Sequence, residues 1–292
     1  MQKQILNLIN GNLPDIQADA ITPLNEGLFA QTWAIGNNYI AKVSKNQPPN
    51  DYQNAEDKVL DYLANKTKLV IPKLITHSRL EDGREILIET RVPGKAFSYE
   101  EYLRLPDNTK QAIQFQYGRV CSQIHSIKNQ QMPGRLKRTA EYQIKCFDSC
   151  YTEETRGKLS VEERSIIENA FSVYKDAAKD MVLLPCHADL HFNNIMVSQD
   201  NTTITGVIDL GSFQYADPAY EFRYMYGEPQ EMLEVGYGKR FDTTFQDRQF
   251  FYCLCMFLMG VKQPELSWVS SDQNVKRLKK LIACRHMEEA YR

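Results

Sequence analysis

The sequence predicts an α+β fold in two lobes: a small antiparallel sheet with one helix over residues 1–92, then a larger, mainly helical lobe over 93–292. Three observations lead there. Short β-type runs dominate before residue 92, apolar residues at helical intervals dominate after it, and one hairpin pattern interrupts the helical part around 183–215. At 292 residues, 42% hydrophobic and 25% charged, the chain can bury a sizeable core in one large domain or two modest ones.

Taken in order, Thr32–Ile35 and Tyr39–Val43 flank Gly36-Asn37-Asn38, which predicts a first hairpin. Leu74–His77 and Ile86–Ile88 flank Asp82-Gly83 and predict a second. Between them Ala55, Val59, Leu60 and Leu63 share one helical face. Val92-Pro93-Gly94 reads as a turn and a hinge. Beyond it Ile113, Tyr117, Val120, Cys121 and Ile124 recur at helical spacing. Asn194–Val197 and Ile204–Leu210 form a hairpin pattern around Asp200-Asn201. Phe250–Val261 predicts a buried helix, and Val275, Leu278, Leu281 and Ile282 a last one, with Asp272 as its N-cap. A sheet-rich lobe joined to a helical lobe predicts a cleft at the junction, where ligand sites tend to lie.

Charge and composition exclude several function classes. Lys plus Arg is 35 and Asp plus Glu is 37, a net charge of −2, which argues against a nucleic-acid partner bound by a dense basic face. The run Phe250–Val261 falls short of the about 18 apolar residues that cross a bilayer, so no membrane association is expected. The N-terminal segment turns polar within a few residues and has no signal-type apolar run, so the expected location is cytoplasmic. The seven cysteines are odd in number and scattered, which suits a reducing compartment and packing roles. No exposed apolar seam is evident, and a monomer or weak dimer is expected.

The strongest chemical signal is His187-Ala188-Asp189-Leu190-His191-Phe192-Asn193-Asn194, followed after a hairpin by Val207-Ile208-Asp209-Leu210-Gly211. The spacing His-x-Asp-x4-Asn, then Asp-x-Gly, is that of a phosphotransfer site. Phosphoryl transfer needs a group that accepts or orients the proton of the attacking hydroxyl, and an ionised Asp189 supplies one. It also needs Mg²⁺ held by hard oxygen ligands; Asn194 offers a carbonyl oxygen and Asp209 a carboxylate. The alternative is that Asp189 and Asn194 are turn residues and Asp209 an exposed strand end. Of the histidines, His125 reads as a packed helix residue and His187 as one that orders the loop. His77 and His286 have no evident partner.

A second signal lies in the first lobe. Lys42, on the Tyr39–Val43 strand, and Glu56, on the following helix, match a phosphate-contacting lysine braced by a glutamate. The segment Asn25 to Gln31 contains Gly27, where backbone amides would approach phosphates, although a plain turn glycine explains it equally. Glu89-Thr90-Arg91 would offer backbone groups to a purine edge. No Gly-x4-Gly-Lys-Ser/Thr occurs anywhere, which excludes a P-loop.

These residues resemble the aminoglycoside phosphotransferase and choline kinase-like branch of the protein-kinase-like fold. His187-Ala188-Asp189-Leu190-His191-x-x-Asn194 is similar to that family's His-Gly-Asp-Leu-His-x-x-Asn loop, and Val207–Gly211 to its Ile-Asp-Phe-Gly metal motif. Asp217-Pro218-Ala219-Tyr220-Glu221-Phe222 resembles its Asp-Pro-Ala-x-Asp-Leu helix start, and Ile124-His125-Ser126-Ile127 its Leu-His-Ser-Ile helix end. The resemblance spans roughly residues 24–225. It implies Asp189 as catalytic base, Asn194 and Asp209 as Mg²⁺ ligands, and Lys42 with Glu56 as the phosphate pair. Ala188 stands where the family has Gly, Leu210 where it has an aromatic residue, and Glu221 where it has Asp.

Only Ser212 to Tyr215 separate Gly211 from Ala216-Asp217-Pro218, too little for a peptide-docking activation segment, so a small-molecule hydroxyl acceptor is expected. Residues 217–250 carry seven acids against four bases, which suits a cationic acceptor, with Asp217, Glu221 and Tyr224 as candidate contacts. Tyr220, Tyr226 and Tyr237 would stack on a sugar or serve as core edges. The expected activity is Mg²⁺-dependent transfer of the γ-phosphoryl of ATP or GTP to a small molecule, an aminoglycoside-like amino sugar. The alternatives are a metabolite kinase acting on choline, ethanolamine, homoserine or a ketosamine, and a nucleotide-binding relative without turnover.

Overall fold

The computed structural model describes residues 2–9, 20–45, 56–127, 136–267 and 269–284. In chain order the elements are α1 (Gln2–Ile9), β1 (Ile21–Glu26), β2 (Ala30–Ile35), β3 (Tyr39–Ser44), α2 (Glu56–Leu63), β4 (Leu74–Arg79), β5 (Glu85–Thr90) and β6 (Lys95–Ala96). Then come α3 (Tyr99–Leu103), α4 (Asp107–His125), α5 (Ala140–Cys150), α6 (Glu153–Arg156), α7 (Val161–Ala177), β7 (Leu184–Cys186), β8 (Ile195–Val197) and β9 (Ile204–Val207). The last are β10 (Gln214–Ala216), α8 (Pro218–Glu221), α9 (Gln230–Tyr237), α10 (Phe245–Lys262) and α11 (Ser271–Cys284).

The described chain forms two compact units. The first runs to Glu101 and includes Asn193–Ser212; the second comprises Tyr102–Phe192 and Phe213 onward. This grouping differs from a division at residue 92, and the reason is strand pairing. β6 pairs with β8, and β8 with β9, so the hairpin that follows Asn194 is tied to the sheet-bearing unit. Thr205 Oγ1 donates to Pro93 O, which fastens the Val92-Pro93-Gly94 turn to that hairpin.

The first unit is built on an antiparallel sheet of order β1-β2-β3-β5-β4. Both predicted hairpins are present, with Gly36 and Gly83 at the positive φ their turns require. The two-residue pleat then decides which side chains face which way. Ala41 and Val43 of β3 and Ile86 and Ile88 of β5 are fully buried in one cluster with Ile5, Ile21 and Ile35. Their neighbours Ile40, Lys42, Leu87 and Glu89 must therefore share the opposite face, with Lys42 paired to Leu87 and Ile40 to Glu89. The helix of Val59, Leu60 and Leu63 begins at Glu56; Ala55 lies outside the described residues.

The second unit is helical, as expected. The apolar run around Phe250 forms α10, whose Phe251 stacks on Tyr174 at 4.1 Å while Phe147 stacks on Phe171 at 4.2 Å. Helices α4 and α9 cross with almost no separation: a Cβ on Gly236 would strike the Phe115 carbonyl, and one on Gly118 the Leu233 carbonyl. In α11 the capping group is Ser270, whose Oγ accepts from Gln273 N at 3.3 Å; Asp272 lies inside the first turn rather than at the cap. Among the described residues, no helix is long and apolar enough to cross a membrane.

Candidate active site

Lys42 collects acids. Its Nζ lies 2.8 Å from Glu56 Oε1, 3.2 Å from Glu89 Oε1 and 3.9 Å from Asp209 Oδ1. Burial opposes the lysine's charge, but the carboxylates, Glu56 foremost, hold its pKa above the ordinary value. Glu56 also accepts from Leu210 N at 3.0 Å, so one carboxylate fixes both the lysine and the turn that follows Asp209. Burial raises the Glu56 pKa while Lys42 pulls it down.

The β8–β9 register brings Asn194 and Asp209 to the same end of their hairpin. Ile195 pairs with Val207, and Ile208 N donates to Asn194 O at 3.0 Å. Asp209 has φ +63°, a conformation few non-glycine residues adopt, costing of the order of 1–3 kcal/mol and common at functional sites. Its carboxylate is 55% exposed, whereas Asn194 is buried. An amide oxygen and an available carboxylate are the donor types Mg²⁺ takes, and three acids around one lysine leave negative charge for a dication to offset. These residues fit the ion.

In the second unit, β7 and β10 pair through Cys186 and Gln214 and set the start of the His187–Asp189 segment. Asp189 N donates to His187 Nδ1 at 3.3 Å. Ala188 takes φ +68°, the conformation that the family glycine suits. Its peptide groups are gripped on both sides. Glu221 accepts from His187 N at 2.5 Å and Ala188 N at 3.1 Å, and Arg223 Nη2 donates to Ala188 O at 2.7 Å. Because Ala188 must hold the left-handed region, Ala188→Gly is expected to stabilise the fold by ~1 kcal/mol in denaturant titration.

Asp189 is 34% exposed and carries a defined environment. Tyr224 OH donates to its Oδ1 at 2.7 Å, and Arg223 Nη2 lies 3.9 Å from the same oxygen. His191 Nε2 stands 3.7 Å from Oδ2. Arg223 is itself buried, donates to Tyr224 OH at 2.9 Å, and packs its guanidinium 4.0 Å from the Tyr220 ring and 4.2 Å from the Tyr224 ring. Nothing in the sequence pattern marked Arg223; its importance comes from where the turn after α8 lands. Tyr224, expected as an acceptor contact, is a partner of Asp189.

Several expectations change. Asp217 is 1% exposed, caps α8 through Ala219 N, and binds Arg248 Nε at 2.7 Å and Tyr252 OH at 3.0 Å. Glu221 is fully buried against the loop amides. Both carboxylates are consumed inside the unit and do not meet an acceptor. Gly27 N donates to Ala30 O at 2.8 Å, closing the hairpin turn, so that amide is not offered to a phosphate. Arg91 is exposed and its amide donates to Asn38 O at 2.7 Å, so it does not face a purine edge through that group. The side chain of Glu89 meets Lys42 at 3.2 Å, a contact the sequence reading did not foresee. His77 lies between Asp57 at 2.9 Å and Glu85 at 3.0 Å, partners too distant in sequence to foresee; His286 lies outside the described residues.

His125, Cys186 and Glu221 form a buried cluster with ligand-type atoms within 4.8 Å of one another. Burial lowers the His125 pKa to about 3, keeping the ring neutral, and its Nδ1 meets Tyr237 OH at 2.7 Å. Tyr237 is thereby a core residue and not a sugar platform. The described cysteines are all free thiols.

Residues 20–252 match the model of the phosphotransferase enzyme family. No curated protein sequence matches the chain. Among solved structures, the GDP and kanamycin complex of APH(2")-IIia has 17% identity and a TM-score of 0.80, covering 97% of this chain and 99% of that one. The streptomycin–ATP complex of APH(2")-IIa has 16% identity and a TM-score of 0.71, with 100% and 98% covered. Macrolide 2'-phosphotransferase MphH from Brachybacterium faecium has 15% identity and a TM-score of 0.67, with 98% and 95% covered. The shared fold is kinase-like.

Proposed function

Because this chain belongs to the phosphotransferase enzyme family, we propose that it transfers the γ-phosphoryl of ATP or GTP to a hydroxyl of a small, amino-sugar-like acceptor. The observation that carries this reading is the surroundings of Asp189. One carboxylate oxygen is held by Tyr224 and a buried arginine, on a backbone clamped by Glu221, while the side chain remains one-third exposed. Such a group is positioned to orient an incoming hydroxyl and accept its proton as the phosphoryl is transferred.

Lys42, oriented by Glu56, would bind the nucleotide phosphates. Asn194 and Asp209 would hold Mg²⁺, which supplies charge neutralisation on the transferring group. The positive φ of Asp209 is consistent with a residue whose position matters more than its comfort. The acceptor class rests on the four residues between Gly211 and Ala216 and on the kanamycin, streptomycin and macrolide enzymes of similar fold. The location remains a cytoplasmic reading and the assembly a monomer or weak dimer.

The test is an acceptor screen over aminoglycosides, macrolides, choline, ethanolamine and homoserine, read by mass gain of one phosphate. Phosphate on an amino sugar supports the reading, and phosphate on an amino alcohol moves the enzyme to the metabolite kinases. Nucleotide binding with no product from any acceptor would leave a non-catalytic relative. Asp209→Ala is expected to weaken Mg·nucleotide binding by ~10-fold or more in calorimetry; unchanged Mg²⁺ dependence would remove Asp209 from the ligand set.

A further inference from the structure

Lys42 has one more acid than its assigned role requires. Glu56 is tied down by Leu210 N, and Asp209 presents a largely exposed carboxylate. Glu89 differs from both. It is 2% exposed, sits on a strand face whose neighbours are Ile40 and Leu87, and places Oε1 3.2 Å from Lys42 Nζ. Its Oε2 is buried with no hydrogen-bond partner among the described residues. A half-satisfied buried carboxylate is an unfavourable way to brace a lysine that already has Glu56. What it does add is negative charge at the point where a polyphosphate would have to arrive.

We propose that Glu89 is a positioning residue that competes with the nucleotide phosphates for Lys42 and so holds nucleotide affinity, and the retention of the diphosphate product, below what the lysine alone would give. The proposal rests on the reading of Lys42 as the phosphate-contacting residue. Two effects act in the same direction. The phosphates must draw Lys42 from an existing ion pair, and they are repelled by a carboxylate a few ångströms from the same ammonium. Burial, opposed by Lys42, pushes the Glu89 carboxyl up to about 8, so the charge is fully present only in alkaline solution.

The experiment compares the full-length chain with Glu89→Gln, Glu89→Leu and Lys42→Ala at pH 9, where Glu89 is ionised. Calorimetry measures Mg·ATP, Mg·GTP and the two diphosphates. Steady-state kinetics with an acceptor that the wild type phosphorylates separates KM from kcat, and thermal unfolding monitors folding. Glu89→Gln and Glu89→Leu are each expected to bind nucleotide about 10-fold tighter and to lower the nucleotide KM, while Lys42→Ala binds it more weakly. Thermal midpoints of the Glu89 variants should stay close to wild type, because Lys42 keeps Glu56 and Asp209 as partners and is not left an uncompensated buried charge. Weaker binding in Lys42→Ala together with unchanged or weaker binding in both Glu89 variants overturns the competition while leaving the lysine's role intact. Unaltered binding in Lys42→Ala overturns the reading of Lys42, and the proposal with it.

Discussion

Asp189→Ala is expected to reduce turnover by ~10²–10⁴-fold while nucleotide affinity changes little. The side chain is one-third exposed, so its loss opens no core cavity, and its Oδ1 partner Tyr224 keeps a contact to Arg223. The loss should therefore fall on kcat and not on folding. Asp189→Asn sharpens the test: it preserves shape and can still accept from the Tyr224 hydroxyl, yet it cannot take a proton. Single-turnover rates of Asp189→Asn close to wild type would remove the assigned role. Equal losses in both variants, with thermal midpoints unchanged, would support it.

Glu221→Ala is expected to lower turnover by ~10²-fold or more and to destabilise the fold by about 3 kcal/mol. The reason is accounting of backbone donors. Glu221 is fully buried and its carboxylate takes the amides of both His187 and Ala188. Removing it strands two buried N–H groups beside a residue already at φ +68°. The segment would relax, and Asp189 would lose its bearing on Tyr224. Glu221→Gln retains a carbonyl acceptor and should recover part of the stability. Burial raises the Glu221 pKa, with His187 and Arg223 pulling it back. Chemical denaturation of both variants beside activity measures the split; wild-type stability in Glu221→Ala would show that the loop is held by other contacts.

Much of the architecture was legible from adjacent residues. Glycine-punctuated alternation marked two of the three hairpins of the sheet, β2–β3 and β4–β5, and apolar spacing marked α4, α10 and α11. That Glu89 shares a face with Lys42 came from the sheet itself, where β3 and β5 pair in register and Ile86 and Ile88 point to the core. The Asn194 and Asp209 spacing foretold a hairpin whose register brings its two ends together; the chemistry read from it is the proposal that Asp189→Ala and Asp209→Ala test.

Other assignments depended on packing. Asp217 and Glu221 belong to a segment rich in acids, and a linear pattern does not distinguish a solvated carboxylate from one enclosed by Arg248, Tyr252 or two loop amides. Arg223 and Tyr224 carry no motif, and Tyr224 meets Asp189 across 35 positions of chain. The β2–β3, β4–β5 and β8–β9 hairpins and the helices α2, α4, α10 and α11 are specified by neighbours a few residues apart, so the order of amino acids alone marked them, whereas β1, β6, β7 and β10 take shape through strand partners elsewhere in the fold. Which carboxylates are buried, and which side chains close on Asp189, follows from long-range contacts whose energy exists only once the helices have packed.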